Sequence, residues 1–404
     1  MTSRCQTARP LVLAVAGPAG SGKTTLGRGL ATDLGAPLLD LDTLTATLLD
    51  RLHGPVLREH WLSAPHGDTI RAARYAALRA TAADVVTTAG TAVLVAPFTA
   101  ELSGGPEWHA LVDALSGADL RMVHLTGDPA LFARRRAARG AARDTHRPAD
   151  SPPAAPRVPH IAVDAQLTPE QQRFRVLREL GQRVPVDTGA AVFAAEYDAV
   201  LFDVDGVLAD STASVLRSWD RFGAERGLPS TPVATNHGRP ARALVEQLLA
   251  PGDVADGMRR IEQLEIEDAS TVAPVPGARA LVAALPSDRY AFVTSGSTSI
   301  ARARLSAVGI EPPPVFVTAD DVHRGKPDPE PYLRAAAHLG VEAERCLVLE
   351  DAPAGIAAAR AAGCAVIGVL GTATAEELSD ADALVDGLDR LTVSPGPPCR
   401  IHAR

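Results

Sequence analysis

Short apolar runs alternate with longer helical stretches rich in Ala, Leu and Arg along the whole chain. Runs of strand length in the first half lie at residues 11–16, 37–39, 92–96, 123–125 and 161–165. Runs in the second half lie at 199–202, 291–294 and 347–349. Strands separated by helices favour parallel sheets covered by helices on both faces. The pattern therefore predicts the α/β class, with two parallel-sheet domains of three layers each.

The pattern is interrupted near the middle of the chain, which divides it into two domains. We expect a first domain over residues 1–183, a linker over 184–196 and a second domain over 197–393. The Pro- and Gly-rich tail at 394–404 is expected to fray.

The composition is that of a soluble globular chain, since 46% of its 404 residues are apolar and 22% are charged. Its apolar runs are far shorter than the roughly 20 residues of a membrane span, and the first leads into a glycine-rich loop rather than a cleavage site. The four cysteines lie far apart, which favours reduced thiols over disulfides or structural zinc. We therefore expect no membrane partner, no signal peptide and a cytoplasmic location.

Basic residues are almost all arginine, because only Lys23 and Lys326 among the 40 basic residues are lysines. This suggests that a compact point charge is needed at those two positions. Residues 1–190 carry 21 bases and 18 acids, and residues 191–404 carry 19 bases and 30 acids, so the halves have charges of +3 and −11. Neither half has the basic excess of a nucleic-acid-binding domain, and no nucleic-acid partner is expected.

The first apolar run leads into a phosphate-binding pattern. The segment at 17–24, GPAGSGKT, stands between a predicted strand and a predicted helix at 25–34, which is the context of a P-loop. Backbone N–H groups of such a loop surround phosphates, Lys23 can reach the β- and γ-phosphate oxygens, and Thr24 can bind Mg²⁺. The residues expected to bind ATP are Gly17, Gly20, Ser21, Gly22, Lys23, Thr24 and Thr25.

Two acids follow the second predicted strand. Asp42 or Thr43 could simply cap the next helix. In small-molecule P-loop kinases, however, a carboxylate at this strand end holds the acceptor hydroxyl and positions a magnesium-bound water, and we assign that role to Asp42, with Asp40 as its rival. The third predicted strand ends in Pro97 and Phe98, without the aspartate of a motor-type ATPase.

An arginine-rich stretch follows the fourth predicted strand, with five arginines among residues 134–143. Such charge runs are usually solvated helix faces. Their position resembles the lid of gluconate-kinase-like and shikimate-kinase-like enzymes, in which arginines clamp the transferred phosphoryl group. The resemblance covers about residues 10–183 and implies a P-loop kinase fold that uses ATP, with Arg139 and Arg143 as lid arginines. The residues expected to line the acceptor pocket beside Asp42 are Arg58, Arg71, Arg74 and Tyr75.

Four motifs lie in the second half of the chain. Asp203 and Asp205 follow the strand at 199–202, and carboxylates at i and i+2 of a strand end project to the same side. The other motifs are TSGS at 294–297, GKPDPEP at 325–331 and EDAPAG at 350–355. In this order they resemble the haloacid dehalogenase superfamily, specifically the branch of β-phosphoglucomutase and the hexitol, deoxysugar and glycerol phosphate phosphatases. The resemblance covers about residues 197–390 and implies a Rossmann-like fold.

The resemblance also implies a role for each motif residue. Asp203 would attack phosphorus to form an aspartyl phosphate, and Asp205 would protonate the leaving oxygen and then deprotonate the attacking water. Thr294 or Ser295 would donate hydrogen bonds to the transferring oxygens, and the two alternatives cannot be separated by sequence. Lys326 would offset the carboxylate charge.

The same resemblance implies a Mg²⁺ site. Asp203, the carbonyl of Asp205 and Asp351 would hold the ion, with Glu350 nearby. Gly296 is expected to line the substrate site beside them.

A mostly helical insertion at about 209–273 resembles the small α-helical cap of this branch, with helices predicted at 211–227 and 242–266. Such a cap closes over the phosphate and selects the leaving group. Arg239 matches the position of a substrate-binding arginine in the branch, although a surface arginine would look the same. Val215 stands where β-phosphoglucomutase has a histidine, which favours a phosphatase because water should then intercept the aspartyl phosphate.

Two phosphate sites in one chain predict a bifunctional enzyme. One activity would be an ATP-dependent kinase of a sugar, polyol or cyclitol, and the other a Mg²⁺-dependent phosphatase of a small phosphorylated molecule. Polynucleotide kinase–phosphatases join the same two kinds of domain, but the acidic second half disfavours a nucleic-acid substrate. The motifs are also compatible with a phosphatase regulated by its P-loop domain and with a mutase of the β-phosphoglucomutase type.

Overall fold

The computed structural model describes residues 9–53, 55–58, 61, 67–115, 117–140, 155–228, 241–394, 396 and 398–404. The chain forms two compact units, Met1–Gly181 and Gln182–Arg404. The expected site residues Arg143 and Arg239 lie outside the described residues. Across the described ranges, no helix has both the length and the apolar character needed to cross a membrane.

The first unit is built on one sheet. Its strands are β1 (Leu11–Ala16), β2 (Leu38–Asp40), β3 (Thr91–Val95), β4 (Asp119–Thr126) and β5 (His160–Asp164). Its helices are α1 (Lys23–Asp33), α2 (Leu41–Leu52), α3 (Gly67–Ala89), α4 (Pro106–Ala114), α5 (Pro129–Arg139) and α6 (Pro169–Glu179). The strands lie in the order β2-β3-β1-β4-β5, and all pairs are parallel.

The central strand β1 shows why this unit has three layers. Val12 and Ala14 face one hydrophobic core, which includes Leu78 of α3, whereas Leu13 and Val15 face the other, which includes residues of α1. Successive side chains of a strand point to opposite faces, so an apolar run without polar alternation requires cover on both faces. The predicted α/β class with three layers is confirmed for this unit.

The second unit contains a larger parallel sheet. Its strands are β6 (Ala199–Phe202), β7 (Ala209–Asp210), β8 (Ala273–Pro274), β9 (Tyr290–Val293), β10 (Phe316–Val317), β11 (Cys346–Glu350), β12 (Ala365–Val369), β13 (Ala383–Val385), β14 (Leu391–Ser394) and β15 (Arg400–Ala403). Its helices are α7 (Ala191–Ala194), α8 (Thr212–Glu225), α9 (Ala241–Leu248), α10 (Val254–Asp268), α11 (Ala278–Ala283), α12 (Thr298–Ala307), α13 (Glu330–Leu339) and α14 (Pro353–Ala361). Six strands form the parallel order β10-β9-β6-β11-β12-β13, and two antiparallel pairs, β7 with β8 and β14 with β15, lie beside them.

A helical cap is inserted between β7 and β8, as expected. Helices α8 and α10 pack together and are joined by ion pairs between Arg217 and Asp268 at 2.7 Å and between Arg260 and Glu225 at 2.6 Å. The predicted helix at 242–266 is two helices, α9 and α10, because a short 3₁₀ turn that begins at Pro251 separates them. Proline has no N–H to donate and its ring clashes with the preceding turn, so it interrupts a helix.

Two irregular segments differ from what the sequence predicts. The composition predicts a frayed tail at 394–404, but β15 pairs with β14 and Ile401 is fully buried. The sequence predicts a linker at 184–196, but Val192 and Phe193 belong to the core of the second unit. In both cases a few apolar residues bury enough surface to order the segment.

Candidate active sites

The predicted residues of the second unit meet at the carboxyl edge of its sheet. Asp203 follows β6, Thr294 follows β9 and Glu350 ends β11, and these are three adjacent strands. Lys326 lies in the loop that follows β10. Parallel strands place their carboxyl ends at one edge, which is where α/β sheets bind ligands.

The ammonium of Lys326 is the centre of this cluster. Its Nζ lies 2.5 Å from Asp203 Oδ1 and 2.7 Å from Glu350 Oε1, and it donates a third hydrogen bond to the carbonyl of Val293 at 3.1 Å. All three donors of the ammonium are therefore used. Burial opposes its charge, but the two carboxylates outweigh burial and raise the pKa of Lys326 well above its ordinary value.

Glu350 holds Lys326 and is itself held by several hydrogen-bond donors. Its Oε1 also accepts a hydrogen bond from the Tyr332 hydroxyl at 3.0 Å, and its Oε2 accepts from the N–H groups of the next two residues at 2.8 and 2.9 Å. A Cβ at Gly355 would lie 1.6 Å from Oε1, so only glycine fits there. Both oxygens of Glu350, which the resemblance places near the ion, are therefore engaged in hydrogen bonds. Tyr332 lies outside the core of any motif, and sequence reasoning missed it.

Asp203 and Asp351 form a buried pair of carboxylates with the chemistry of a magnesium site. A Cβ at Gly206 would lie 1.7 Å from Asp351 Oδ2, so the loop after Asp205 runs against that carboxylate. Burial raises the pKa of Asp203 to about 8 even though Lys326 opposes the change, and burial together with the Glu350 charge raises that of Asp351 well above its usual range. A hard divalent cation would offset this excess of negative charge.

The donor set is small. Within the part of the chain that the structure describes, no three His, Cys, Asp or Glu side chains converge as a complete metal cage. One or two carboxylates are the protein ligands that Mg²⁺ commonly uses, with water and substrate phosphate as its remaining ligands. The residues present therefore fit this ion.

Asp205 is held by two side chains that the motifs do not contain. Its Oδ1 accepts hydrogen bonds from Ser211 Oγ at 2.6 Å and from an Arg304 guanidinium nitrogen at 2.7 Å. Arg304 is only 3% exposed and pairs with Glu265 of α10 at 2.9 Å. An arginine in a helix of ordinary composition gives no motif signal, which is why sequence reasoning missed it.

The alternatives at the end of β9 are separated by burial. Thr294 is buried and its Oγ1 accepts a hydrogen bond from the N–H of Gly296 at 3.0 Å, whereas Ser295 is exposed. A Cβ at Gly296 would lie 3.4 Å from Thr294 Oγ1 and 4.0 Å from Asp205 Oδ2. The geometry therefore favours Thr294 as the residue that faces the site, with Gly296 beside it.

The P-loop of the first unit connects β1 to α1. Gly20 has a φ of +86°, and a Cβ there would lie 2.5 Å from the carbonyl oxygen of Phe132 in α5. Gly22 is the N-cap of α1 with a φ of +93°. These left-handed conformations explain why glycine stands at both positions. Lys23 Nζ donates to the carbonyl of Pro18 at 3.2 Å, so the lysine folds back over the loop.

The remaining P-loop positions differ in exposure. Ser21 is fully buried and its Oγ lies 2.8 Å from the position that a Cβ on Gly17 would take. Thr25 is exposed on the first turn of α1.

The structure assigns different neighbours to the two acids after β2. Asp40 Oδ2 accepts a hydrogen bond from Thr24 Oγ1 at 3.1 Å, and its Oδ1 caps α2 through the N–H groups of Asp42 and Thr43. Asp42 instead pairs with Arg74 at 2.6 Å. The carboxylate next to the P-loop threonine is thus Asp40, the rival in the sequence argument.

Arg74 connects several groups of the expected acceptor pocket. It also donates to Thr45 Oγ1 at 2.7 Å, and its guanidinium lies 4.5 Å from the centre of the Trp61 ring. Tyr75 is buried and accepts a hydrogen bond from the N–H of Phe98, whereas Arg58 is exposed.

A different lid arginine from the expected one contacts the P-loop. Arg136 of α5 donates to the carbonyl of Ala19 at 2.9 Å. Arg139, the last residue of α5, is exposed. Helical spacing separates these two residues by less than one turn, and only packing of α5 on the loop distinguishes them.

A buried acid lies just beyond the end of β3. Glu101 is 1% exposed, and burial raises the pKa of its carboxyl group. A carboxylate therefore lies near this edge of the sheet even though neither Pro97 nor Phe98 is acidic. Glu101 packs near Tyr75 of α3.

A parallel Rossmann-like sheet that gathers aspartates, one lysine and a hydroxyl at its carboxyl edge under a helical cap defines the class of haloacid dehalogenase-type α/β hydrolases. Residues 197–363 match the family model of the haloacid dehalogenase-like hydrolases, and residues 12–154 match that of an AAA domain. The chain belongs to the haloacid dehalogenase-like hydrolases through its second unit, and the first unit is a P-loop, kinase-like domain.

Three characterised relatives match the second half of the chain. Hexitol phosphatase A of Escherichia coli (strain K12) is 39% identical over 206 residues, which are 49% of this chain and 94% of the relative. Validoxylamine A 7'-phosphate phosphatase of Streptomyces hygroscopicus subsp. limoneus is 36% identical over 48% of this chain and 96% of the relative. Glycerol-1-phosphate phosphohydrolase 2 of Saccharomyces cerevisiae (strain ATCC 204508 / S288c) is 33% identical over 43% of this chain and 75% of the relative.

Proposed function

We propose that the second unit is a phosphatase of small phosphorylated sugars or polyols that works through an aspartyl phosphate. The observation that carries the proposal is the buried contact of Lys326 with Asp203 at 2.5 Å, with Asp205 two residues further along the same loop. The names of the relatives, which denote hexitol and glycerol phosphates among others, support the substrate class.

The proposed reaction has two displacements. The Asp203 oxygen that Lys326 does not hold attacks phosphorus, the bond from phosphorus to the leaving oxygen breaks, and Asp205 gives its proton to that oxygen. Water then attacks phosphorus and gives a proton to Asp205, the bond between Asp203 and phosphorus breaks, and inorganic phosphate leaves. Two displacements by well-placed groups replace one difficult hydrolysis.

Other residues of the site would hold the substrate in place. The Asp203 and Asp351 carboxylates and the Asp205 carbonyl would hold Mg²⁺, which when bound neutralises the repulsion between carboxylate and phosphate. The Thr294 hydroxyl would bind an oxygen of the transferring phosphoryl group. The cap would exclude bulk water and polymeric substrates.

We further propose that the first unit binds ATP with Mg²⁺ and phosphorylates a small hydroxylated acceptor. The contact of Thr24 with Asp40 at 3.1 Å supports this proposal, because it places a threonine hydroxyl and a carboxylate next to the glycine loop. The pair of Asp42 with Arg74 would orient the acceptor. Regulation of the phosphatase by ATP is the competing function, and the lack of an acid directly at the end of β3 is what favours it.

A substrate panel tests the phosphatase proposal. With Mg²⁺ and phosphorylated hexitols, hexoses and glycerol, we expect release of inorganic phosphate with a kcat/KM on the order of 10⁴ M⁻¹ s⁻¹ or higher for at least one member. Hydrolysis of phosphorylated oligonucleotides alone would replace this proposal by a nucleic-acid phosphatase.

The kinase proposal needs a second readout with ATP and unphosphorylated sugars, polyols and cyclitols. ADP formation that depends on an acceptor supports a kinase. ADP formation that never depends on an acceptor, together with an ATP-dependent change in phosphatase rate, supports regulation.

A further inference from the structure

Arg304 connects the proposed acid and base Asp205 to the cap. One guanidinium nitrogen lies 2.7 Å from Asp205 Oδ1, and another lies 2.9 Å from Glu265 Oε2. Arg304 belongs to α12, on the sheet side of the site, whereas Glu265 belongs to α10 of the cap. A single side chain therefore spans the two parts of the second unit.

A second contact joins the same two helices. Ser297, the N-cap of α12, donates a hydrogen bond from its hydroxyl to Glu262 Oε1 at 2.6 Å. Glu262 and Glu265 stand three residues apart on α10 and so lie on the same face of that helix. The cap thus contacts α12 through two carboxylates, one next to the 294–296 loop and one through Arg304.

Stability alone is a poor explanation for the charged contact. Arg304 and Glu265 are 3% and 7% exposed, so both charges have been removed from water. Apolar residues of similar volume are often as good as, or better than, a buried ion pair for stability. A buried arginine between two carboxylates is better explained by the orientation that it imposes.

We infer that Arg304 is a positioning residue for proton transfer by Asp205. Glu265 of the cap holds the Arg304 guanidinium in the orientation that this contact with Asp205 requires. The guanidinium is a rigid planar fork, so fixing one nitrogen on Glu265 fixes the direction in which the other meets Asp205. Ser211 Oγ holds the same Asp205 oxygen at 2.6 Å, which leaves Oδ2 to face the substrate. The inference rests on the proposed role of Asp205.

Two phosphate esters that differ in their leaving group test the inference. A sugar or polyol phosphate releases a poor leaving group that needs a proton from Asp205, whereas p-nitrophenyl phosphate releases a good one that does not. In Arg304→Met we expect kcat for the polyol ester to fall roughly 100-fold with little change in KM. With p-nitrophenyl phosphate we expect a fast burst of one p-nitrophenolate per site and slow turnover afterwards, because the second step still needs a base.

Matched variants separate positioning from general damage. Arg302 lies on the same helix but is exposed, so Arg302→Met should leave both rates within about twofold. Glu265→Gln keeps the shape of the side chain and should produce a smaller fall in kcat for the polyol ester, again with a burst of p-nitrophenolate from p-nitrophenyl phosphate. Because Glu265 acts through Arg304, the double variant should be no slower than Arg304→Met alone.

Several distinct results would overturn the inference. One is an equal fall on both esters without a burst in Arg304→Met, which would mean general damage to the site. Another is a double variant of Arg304→Met and Glu265→Gln whose kcat falls by the product of the two single losses. If Arg304→Met does not fold, Glu265→Gln decides: no loss on either ester, or an equal loss on both without a burst, refutes the inference. A wild-type protein that hydrolyses neither ester overturns the proposed function and this inference with it, whereas an active wild type and an undisturbed Arg304→Met overturn the inference alone.

Discussion

The two lysines of the chain lie in two proposed phosphate sites that are built in different ways. Lys326 is 6% exposed and contacts two carboxylates, Asp203 and Glu350. Lys23 is partly exposed and donates to a backbone carbonyl of its own loop, that of Pro18. The second site is thus held by buried side-chain charges, whereas the first is held by glycine turns and backbone groups.

The difference matches the chemistry proposed for each site. A covalent displacement requires a nucleophile in a fixed position, and preorganised charges in a buried site provide it before substrate arrives. A nucleotide brings its own charges, and backbone N–H groups at a helix N-terminus can receive them without buried carboxylates. Substitutions should therefore affect the two sites independently and to different degrees.

The largest effect is expected from Asp203→Asn. The amide keeps the shape of the side chain but cannot act as the nucleophile, so phosphate release should fall at least about 10⁴-fold. Affinity for a non-hydrolysable ATP analogue, measured by calorimetric titration, should stay within about twofold. Loss of nucleotide binding in this variant would show that the two sites are not independent.

The same substitution at both lysines should separate their contributions to stability. Lys326→Met leaves Asp203 and Glu350 buried without their cation, which should cost about 3–5 kcal/mol in the free energy of unfolding. Lys23→Met should cost no more than about 1 kcal/mol, because its site is partly exposed. Urea unfolding followed by circular dichroism and tryptophan fluorescence measures both free energies of unfolding. Equal losses in the two variants would contradict the proposed difference between the two sites.

Lys23→Ala tests the function of the first site. Removal of a charged donor from a phosphate site should reduce acceptor-dependent ADP formation by roughly 10²–10³-fold. Phosphate release by the second site should remain within about twofold of wild type. The comparison fails if phosphate release falls as far as ADP formation does.

Mg²⁺ should stabilise the second unit more at high pH. Burial, with the Glu350 and Asp205 charges, raises the pKa of Asp203 to about 8 against the effect of Lys326. The folded protein then binds this proton more tightly than the unfolded chain, so the corresponding stability is present below about pH 4 and is lost as the pH rises towards about 8. Mg²⁺ prefers ionised carboxylates. Its contribution to the free energy of unfolding should therefore grow over the same pH range, to about 2.7 kcal/mol at 100 times its Kd.

Thermal unfolding at pH 6 and pH 8, with Mg²⁺ or with a chelator, measures this effect. Asp351→Asn is the control and should remove most of the increase in Tm that Mg²⁺ produces. An increase in Tm on adding Mg²⁺ that is equal at the two pH values, or that survives in Asp351→Asn, would contradict the assigned ligands.

The smallest effect concerns the lid of the first site. Arg136 contacts the P-loop through Ala19, so Arg136→Ala should weaken ATP binding or ADP formation about tenfold, as expected for one lost charged hydrogen bond. Arg139→Ala is the matched control on the same helix and should have little effect, because Arg139 is exposed. A larger loss in Arg139→Ala than in Arg136→Ala would favour Arg139, the lid arginine that the sequence predicts.

Much of the second site was predictable because its residues stand at strand ends. Asp203, Thr294 and Asp351 each follow a short apolar run, and strand ends of a parallel sheet share one edge. The choice between Thr294 and Ser295 was not predictable, since adjacent residues differ only in which one faces the interior. The same reasoning places Glu350 near the metal, and only its hydrogen bonds show that it holds Lys326.

The sequence by itself determined the class of both units, because apolar runs of strand length, glycine turns and motif spacings are local features. Tertiary structure alone decided the contacts between distant segments. Arg304 meets Asp205 across 99 residues, and it meets Glu265 across 39. No local pattern marks such pairs, because the free energy that favours them comes from burial created only when helices pack on the sheet. The same reason explains why Asp40, rather than Asp42, lies beside Thr24.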